Sequence, residues 1–280
     1  MKQAAIMIAM LGITAGAVTL NAQDKPAAQN TTPAPAAGQT AAPAGKRPPQ
    51  AKTQAEFDAY KVAAALTDPA AQEKAADDFA TKFPDSELRP LLYKSAMHEY
   101  QQANNSEKMM EMAQKVLTFD PDDPEALLGV AQVLAERTRD TDLDRDQKLA
   151  EARKDAQKAL TTIDTDIPTA NQPADKIEAY KGFLRSEADE ILGTLDYNAK
   201  NWADAEANLK KSIDAFPQQP DPVAVLRLSL ALDQENKYPE ALKYANQAVD
   251  LTKEGTAAGD AARKEKDRLT QLTGGAPAVK

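Results

Sequence analysis

The chain contains no cysteine and only one histidine, His98. Without thiols it cannot form disulfides, zinc–thiolate sites, iron–sulfur clusters or a cysteine nucleophile. A Ser-His-Asp arrangement would have to use His98, and a metal site built from several histidines is excluded. The sequence also lacks a glycine-rich phosphate loop and the patterns G-x-S-x-G and H-E-x-x-H. We therefore expect neither enzymatic activity nor a cofactor.

Aromatic residues and positive charge are also scarce. Aromatics make up 5% of the 280 residues, and 34 Lys and Arg face 43 Asp and Glu, which gives a net charge of −9. Binding to a phosphate backbone requires a basic stripe, so this composition argues against a nucleic-acid partner. Few aromatics and frequent alanine favour helices that pack through small side chains.

The first 22 residues differ from the rest. Lys2 precedes an uncharged run over residues 4–20, and Ala22 is followed by the polar stretch QDKP. This pattern is typical of a signal peptide cleaved near Ala22. The alternative is an uncleaved anchor, although roughly 17 apolar residues is short for a membrane helix. We predict an exported protein, periplasmic or extracellular, without an integral membrane domain after cleavage.

Residues 23–52 are rich in Ala, Pro, Gln and Thr and contain almost no large apolar side chain. Such a segment cannot bury enough surface to offset the entropy lost on ordering. We predict a disordered linker over 23–52 and a short disordered tail over 274–280.

From residue 53 onward the pattern is helical, and it repeats. In residues 186–219, Gly193, Trp202, Ala205 and Leu209 occupy positions 8, 17, 20 and 24 of a 34-residue unit, with Pro217 at position 32. Small residues at positions 8 and 20 let two helices approach, larger ones fill the space between them, and the proline ends the second helix. The same spacing fits 90–123 and 222–255, and Pro124 opens a further copy.

These positions resemble the tetratricopeptide repeat. The resemblance implies an all-α, right-handed α-solenoid of antiparallel helix pairs that acts as a protein-binding scaffold. The predicted segments are a degenerate helix pair (53–89), four repeats (90–123, 124–173, 174–219 with an extended first helix, and 222–255) and a capping helix (256–273).

The copy from Pro124 is interrupted by an acidic insertion over 138–147, after which its alanines come late, at Ala152, Ala156 and Ala159. Five acids fit positions 1, 3, 5, 7 and 12 of a calcium loop: Asp140, Asp142, Asp144, Asp146 and Glu151. Arg145, however, stands where the turn needs glycine, and Gln147 where an apolar residue is usual. The alternatives are a calcium-stabilised loop and a solvated acidic loop.

In this family, first-helix positions 2, 5, 9, 12 and 13 line a groove. The resemblance therefore implies a partner-binding groove containing Lys94, His98, Gln101, Leu128, Gln132, Glu190, Thr194, Tyr197, Val223, Leu226 and Leu230. Family members that clamp a terminal carboxylate use several cations there, and Lys94 and Arg227 alone come close, so we do not expect that variant. The apolar stripe Val223, Leu226 and Leu230 is either a hydrophobic peptide site or a surface covered by the preceding helix or the tail.

Three functional hypotheses follow. The first is a non-enzymatic cell-envelope scaffold that binds a partly basic segment of an unidentified protein. The second is a module that assembles with copies of itself, since the sequence leaves the oligomeric state open. The third is an enzyme of unrecognised type.

Overall fold

The computed structural model describes residues 46–169 and 172–274, which form eleven α-helices and no strand. The all-α prediction is confirmed for this part of the chain. The helices are α1 Gln54–Ala64, α2 Pro69–Lys82, α3 Arg89–Gln102, α4 Ser106–Phe119, α5 Pro124–Arg137, α6 Arg145–Asp166, α7 Ala174–Asn198, α8 Trp202–Ala215, α9 Pro222–Gln234, α10 Tyr238–Leu251 and α11 Ala257–Leu272. None of them has the length and apolarity needed to cross a membrane. The predicted signal peptide, the linker up to residue 45 and residues 275–280 of the predicted tail lie outside the described residues.

The turns inside three helix pairs share one backbone conformation. Asn104, Lys200 and Asn236 have φ values of 56°, 62° and 61°, and each is the fifteenth residue when its unit is counted from residue 90, 186 or 222. In each turn the next backbone N–H donates to the carbonyl five residues earlier, at 2.9 Å: Asn105 to Tyr100, Asn201 to Asp196 and Lys237 to Leu232. These bonds satisfy helix-end carbonyls, as expected for a helix C-terminus that ends in a left-handed residue. The three turns repeat in register with the sequence pattern.

The chain divides into two compact units: Met1–Ala126 with Asp164–Ile177, and Leu127–Ile163 with Glu178–Lys280. In unit 1, α3 packs against α2 and α4, and Leu92, Ala96, Met112 and Val116 are fully buried between them. In unit 2, α8, α9, α10 and α11 pack in sequence order. Leu209, Leu228, Leu232 and Leu269 form part of the unit 2 core.

Small residues set the closest helix approaches in unit 2. A Cβ atom on Gly193 of α7 would lie 2.7 Å from the Cγ of Leu209 on α8. One on Gly182, in the N-terminal extension of α7, would lie 2.8 Å from the carbonyl oxygen of Ala215. Between α9 and α10, the Ser229 hydroxyl donates to the carbonyl oxygen of Ala241 at 2.8 Å. Residues at repeat positions 8 and 20 therefore lie where the helices of a pair meet.

The C-terminal bound predicted for the linker is wrong in this structure, because residues 46–52 lie against unit 1. Lys46 donates its backbone N–H to the carbonyl of Thr165 at 3.0 Å, and Ala51 is buried. Composition suggested disorder because the segment has almost no large apolar side chains. Hydrogen bonds and ion pairs hold it instead.

We expect Gly193→Ala to lower the free energy of unfolding by about 1–3 kcal/mol, since the added methyl group overlaps Leu209. Urea denaturation of the variant and the wild type measures the change. In a double-mutant cycle with Leu209→Ala, the two changes should cost less together than their sum, by at least ~0.5 kcal/mol. Additive costs would show that the approach of Gly193 to Leu209 is not the cause.

Candidate partner-binding surfaces

In unit 1, the predicted groove residues on α3 are already engaged with their neighbours. The Lys94 ammonium donates to the Asp123 carboxylate and lies 3.4 Å from Glu125 Oε2. His98 Nε2 contacts the other Glu125 oxygen. Burial alone would lower the pKa of Lys94, but the charges of Asp123 and Glu125 outweigh it and hold that pKa above its ordinary value. Lys94 and His98 thus link α3 to the start of α5, and Gln101, further along α3, is half-buried.

In unit 2, the predicted groove residues of α5, α7 and α9 differ in how much surface they offer. Leu128 is buried, and Gln132 donates to Glu136 on its own helix at 3.2 Å. Thr194 accepts a hydrogen bond from Arg227 Nη1 at 3.0 Å. The Tyr197 ring packs edge-on to Trp202 with centroids 5.4 Å apart. Arg227, which in the sequence comes close to the cations of a carboxylate clamp, joins α9 to α7 in the structure.

The apolar stripe on α9 is only partly available. Leu226 is 6% exposed and belongs to a buried cluster with Val225, Ala248 and Ala262. Leu230 packs against this cluster and is half-buried. Val223, at 36% exposure, is the most accessible of the three predicted residues. Leu226 is therefore a core residue, which corrects its placement in the groove.

Glu190 of α7 has an unusual environment. In the described part of the chain, no hydrogen bond or ion pair reaches its carboxyl group. Burial raises the pKa of Glu190 to about 8, the charges of Asp221 and Glu136 act in the same direction, and Arg227 opposes them. This carboxyl group therefore carries its proton at neutral pH, on the same face as Thr194 one turn later. Thr194, like Leu226, is 6% exposed, so it is also a buried residue, which corrects its placement in the groove. We refer to Glu190, Tyr197, Val223 and Leu230 as the unit 2 face.

Asp189 and Asp196 occupy repeat positions 4 and 11, which are usually apolar. Both side chains are buried in unit 2. Asp196 is 2% exposed and accepts hydrogen bonds from Arg153 Nη2 at 2.6 Å and Asn208 Nδ2 at 2.8 Å. Burial raises the pKa of Asp189 to about 6, and Lys211 opposes this shift. Arg153 lies on α6, the second helix of the interrupted copy. Its positive charge offsets the cost of burying the Asp196 carboxylate.

The acidic insertion does not have the geometry of a calcium loop. Helix α6 begins at Arg145, so Asp146 and Glu151 lie within a helix, whereas a twelve-residue calcium loop remains irregular over most of its length. Arg145 bonds to Asp140 at 3.1 Å and to Asp146 at 3.0 Å. Lys148 lies 3.5 Å from Asp142 and 2.9 Å from Asp144. Arg145 and Lys148, in the first turn of α6, balance these carboxylates, and the solvated-loop interpretation fits the structure.

A second acidic group, in unit 1, was missed in the sequence. Carboxylate oxygens of Asp120, Asp123 and Asp166 lie within 4.8 Å of one another. The Lys46 ammonium donates to Asp120 and, at 2.9 Å, to Asp166. Asp120 and Asp123 are the ends of the stretch DPDD, and Asp123 caps the start of α5 by accepting the backbone N–H of Ala126 at 2.9 Å. No periodic signal connects these residues to Asp166 or Lys46.

No protein family matches the chain, and no curated protein matches it. Among solved structures it is similar to PilF of Pseudomonas aeruginosa, a tetratricopeptide-repeat protein, with a TM-score of 0.51 and 16% identity, covering 80% of this chain and 96% of that one. The assembly chaperone of RpL4, Acl4 (residues 1–338), aligns with a TM-score of 0.36 and 14% identity over 79% of this chain and 99% of that chain. The similarity to PilF concerns the fold. The chain has a TPR-like helical repeat fold.

We expect Lys94→Met to lower the free energy of unfolding by about 1–3 kcal/mol, because it leaves two partly buried carboxylates without their ammonium partner. The matched control is Lys74→Met, since the pair of Lys74 with Asp78 on α2 is solvent-exposed. That change should stay within about 0.5 kcal/mol. Urea denaturation compares the two, and equal effects would contradict a structural role for Lys94.

A pH profile of stability tests the environment of Glu190. Its folded-state pKa of about 8 lies above the value near 4.3 of an unfolded chain, so the folded state holds a proton that the unfolded state has released. The free energy of unfolding should therefore fall as pH rises through this window. Glu190→Gln should flatten the part between pH 6 and 8, above the pKa of about 6 at Asp189.

Glu254→Gln, a change at an exposed residue, is the control for this profile and should keep the wild-type slope. If Glu190→Gln also keeps that slope, the carboxyl group is ionised at neutral pH and the environment described for it is wrong.

Proposed function

We propose that the chain is a non-enzymatic scaffold of the cell envelope that binds a segment of another protein on the unit 2 face. The TPR-like fold supports a protein-interaction role. Helices that are already folded lose little conformational entropy when a segment docks on them. The envelope location rests on the signal-like sequence of residues 1–22.

The observation that carries this proposal is the difference between the first-helix faces of the two units. In unit 1, Lys94 and His98 are bonded to Asp123 and Glu125, so ligand binding there would have to break existing contacts. On the unit 2 face, the Glu190 carboxyl group has no bonded partner within the described residues. Val223 on the same face is accessible.

The partner segment carries a basic side chain next to an apolar one. A Lys or Arg at Glu190 would form a charge-assisted hydrogen bond after the carboxyl group loses its proton. The apolar neighbour would cover Val223 and Leu230. The net charge of −9 speeds the approach of a basic segment. Binding therefore releases a proton, and affinity rises as the pH approaches the pKa of Glu190, about 8.

The other two hypotheses have less support. His98 is the one histidine, and its contact with Glu125 serves a link between helices. Self-assembly by end-to-end stacking would need an apolar outer face on α11, where Asp260, Lys264 and Asp267 are exposed instead. Such a polar face suits a terminal repeat with no neighbour.

A pull-down from envelope extract with residues 23–280 tests the proposal. The variant Glu190→Ala/Tyr197→Ala/Val223→Ala should lose the retained protein. A matched variant in the second helices, Asp204→Ala/Lys243→Ala/Asp250→Ala, changes three exposed residues and should keep it. Circular dichroism checks that both variants fold.

The retained protein is then cut into overlapping peptides. The binding peptide should contain Lys or Arg, and its Kd should weaken at least ~10-fold with Glu190→Gln, about 1.4 kcal/mol. Equal retention by both triple variants, or a binding peptide without a basic residue, would exclude the unit 2 face as the site.

A further inference from the structure

Residues 46–52, KRPPQAK, form an extended strap across unit 1. Their backbone N–H groups are bonded at three points: Lys46 to the Thr165 carbonyl at 3.0 Å, Gln50 to Glu87 Oε2 at 3.2 Å and Lys52 to Glu56 Oε2 at 2.7 Å. The two prolines keep the chain out of a helix, because each fixes φ and lacks an N–H donor. The strap thus joins the start of α1, the turn between α2 and α3, and the end of α6.

Charged side chains add to these backbone contacts. The Arg47 guanidinium donates to both oxygens of Glu87, at 2.8 and 2.5 Å. The Lys46 ammonium donates to Asp120 and Asp166, and so contributes positive charge to the three-aspartate group. Basic side chains of the strap therefore face acidic residues at the turn between α2 and α3 and at the end of α6.

Little apolar burial supports the strap. Ala51 is its one fully buried residue, and Arg47 is exposed. The Arg47–Glu87 pair is exposed, and the Lys46 pairs are only partly buried. Exposed ion pairs contribute little each and are screened by salt, unlike the apolar contacts that hold α3 against α4. The strap therefore opens at a lower free-energy cost than the helices beneath it.

We propose that the strap is a releasable latch, which holds residues 46–52 on unit 1 and covers Glu87, Asp120 and Asp166 until salt or acid opens it. Release frees seven residues and uncovers an acidic surface. The proposal concerns unit 1 alone and does not depend on partner binding at the unit 2 face.

Acid acts on the latch through Asp166. Burial raises the pKa of this carboxyl group, the charges of Asp120 and Asp123 add to the shift, and Lys46 opposes it. Since Lys46 lowers this pKa, the Asp166 carboxyl group binds a proton more tightly once the ammonium has left, so a fall in pH favours the open strap. Lys46, Asp120 and Asp123 are the charged groups that face Asp166, and Asp123 is also paired with Lys94. The latch therefore weakens on acidification, while Arg47 and Glu87 remain paired until lower pH.

Hydrogen exchange of the full chain, read by mass spectrometry, tests the latch. At low salt the amides of Lys46, Gln50 and Lys52 should be protected. In about 1 M NaCl, where the Debye length is ~3 Å, their exchange should speed up at least tenfold while Leu92 and Val116 stay protected. Lys46→Met should give the same result at low salt, and Lys61→Met, which removes an exposed lysine within α1, should not.

A charge swap separates a latch from general destabilisation. Arg47→Glu should release the strap, and the double variant Arg47→Glu/Glu87→Arg should restore protection of the Lys46 and Lys52 amides to within about threefold of the wild type. The Gln50 amide should stay unprotected in the double variant, because its acceptor Glu87 is gone. The proposal is overturned if the strap amides are unprotected at low salt, if they open only together with α3 and α4, or if neither salt nor Lys46→Met changes their exchange.

Discussion

The close approach of paired helices through small residues is the constraint on which the rest of the structure depends. Gly193 leaves no room for a side chain against Leu209, and Ser229 is fully buried where its hydroxyl donates to the carbonyl of Ala241. Because the helices pack this tightly, the residues facing away from the contact project from rigid positions. Glu190 and Tyr197 lie on the same helix as Gly193, so this packing positions the candidate binding face.

Periodic features of the fold were predictable, and pairwise charge contacts were not. The spacing of Gly193, Ala205 and Leu209 placed the helix pair correctly, because small and large residues recur at a fixed interval. The contacts of Lys46 with Asp120 and Asp166 follow no fixed spacing in the sequence, since Asp120 comes just after α4 and Asp166 ends α6. Composition therefore predicted a disordered 46–52 segment that ion pairs hold in place.

The sequence predicts the candidate site only through the repeat register, which assigns residues to one face of each first helix. The repeat register identified Glu190 and Thr194 as neighbours on one helix face. It also placed Thr194 and Leu226 in the groove, although both are buried and α9 turns Leu226 into the cluster with Ala248 and Ala262. The repeat register predicts neither the bond from Arg227 to Thr194 nor the lack of a bonded partner for Glu190 among the described residues. Both depend on which charged groups adjacent helices bring near.

The tight left-handed turn at Asn104, Lys200 and Asn236 is absent from the interrupted copy, where Thr138 holds the fifteenth position and donates to Leu134 four residues earlier. A tight turn fixes the number of residues between two helices. The connection between α5 and α6, residues 138–144, is longer and acidic, and Leu143 within it is fully exposed. It is therefore the point where chain length can vary at least cost, and where a tag or a whole inserted domain would be tolerated.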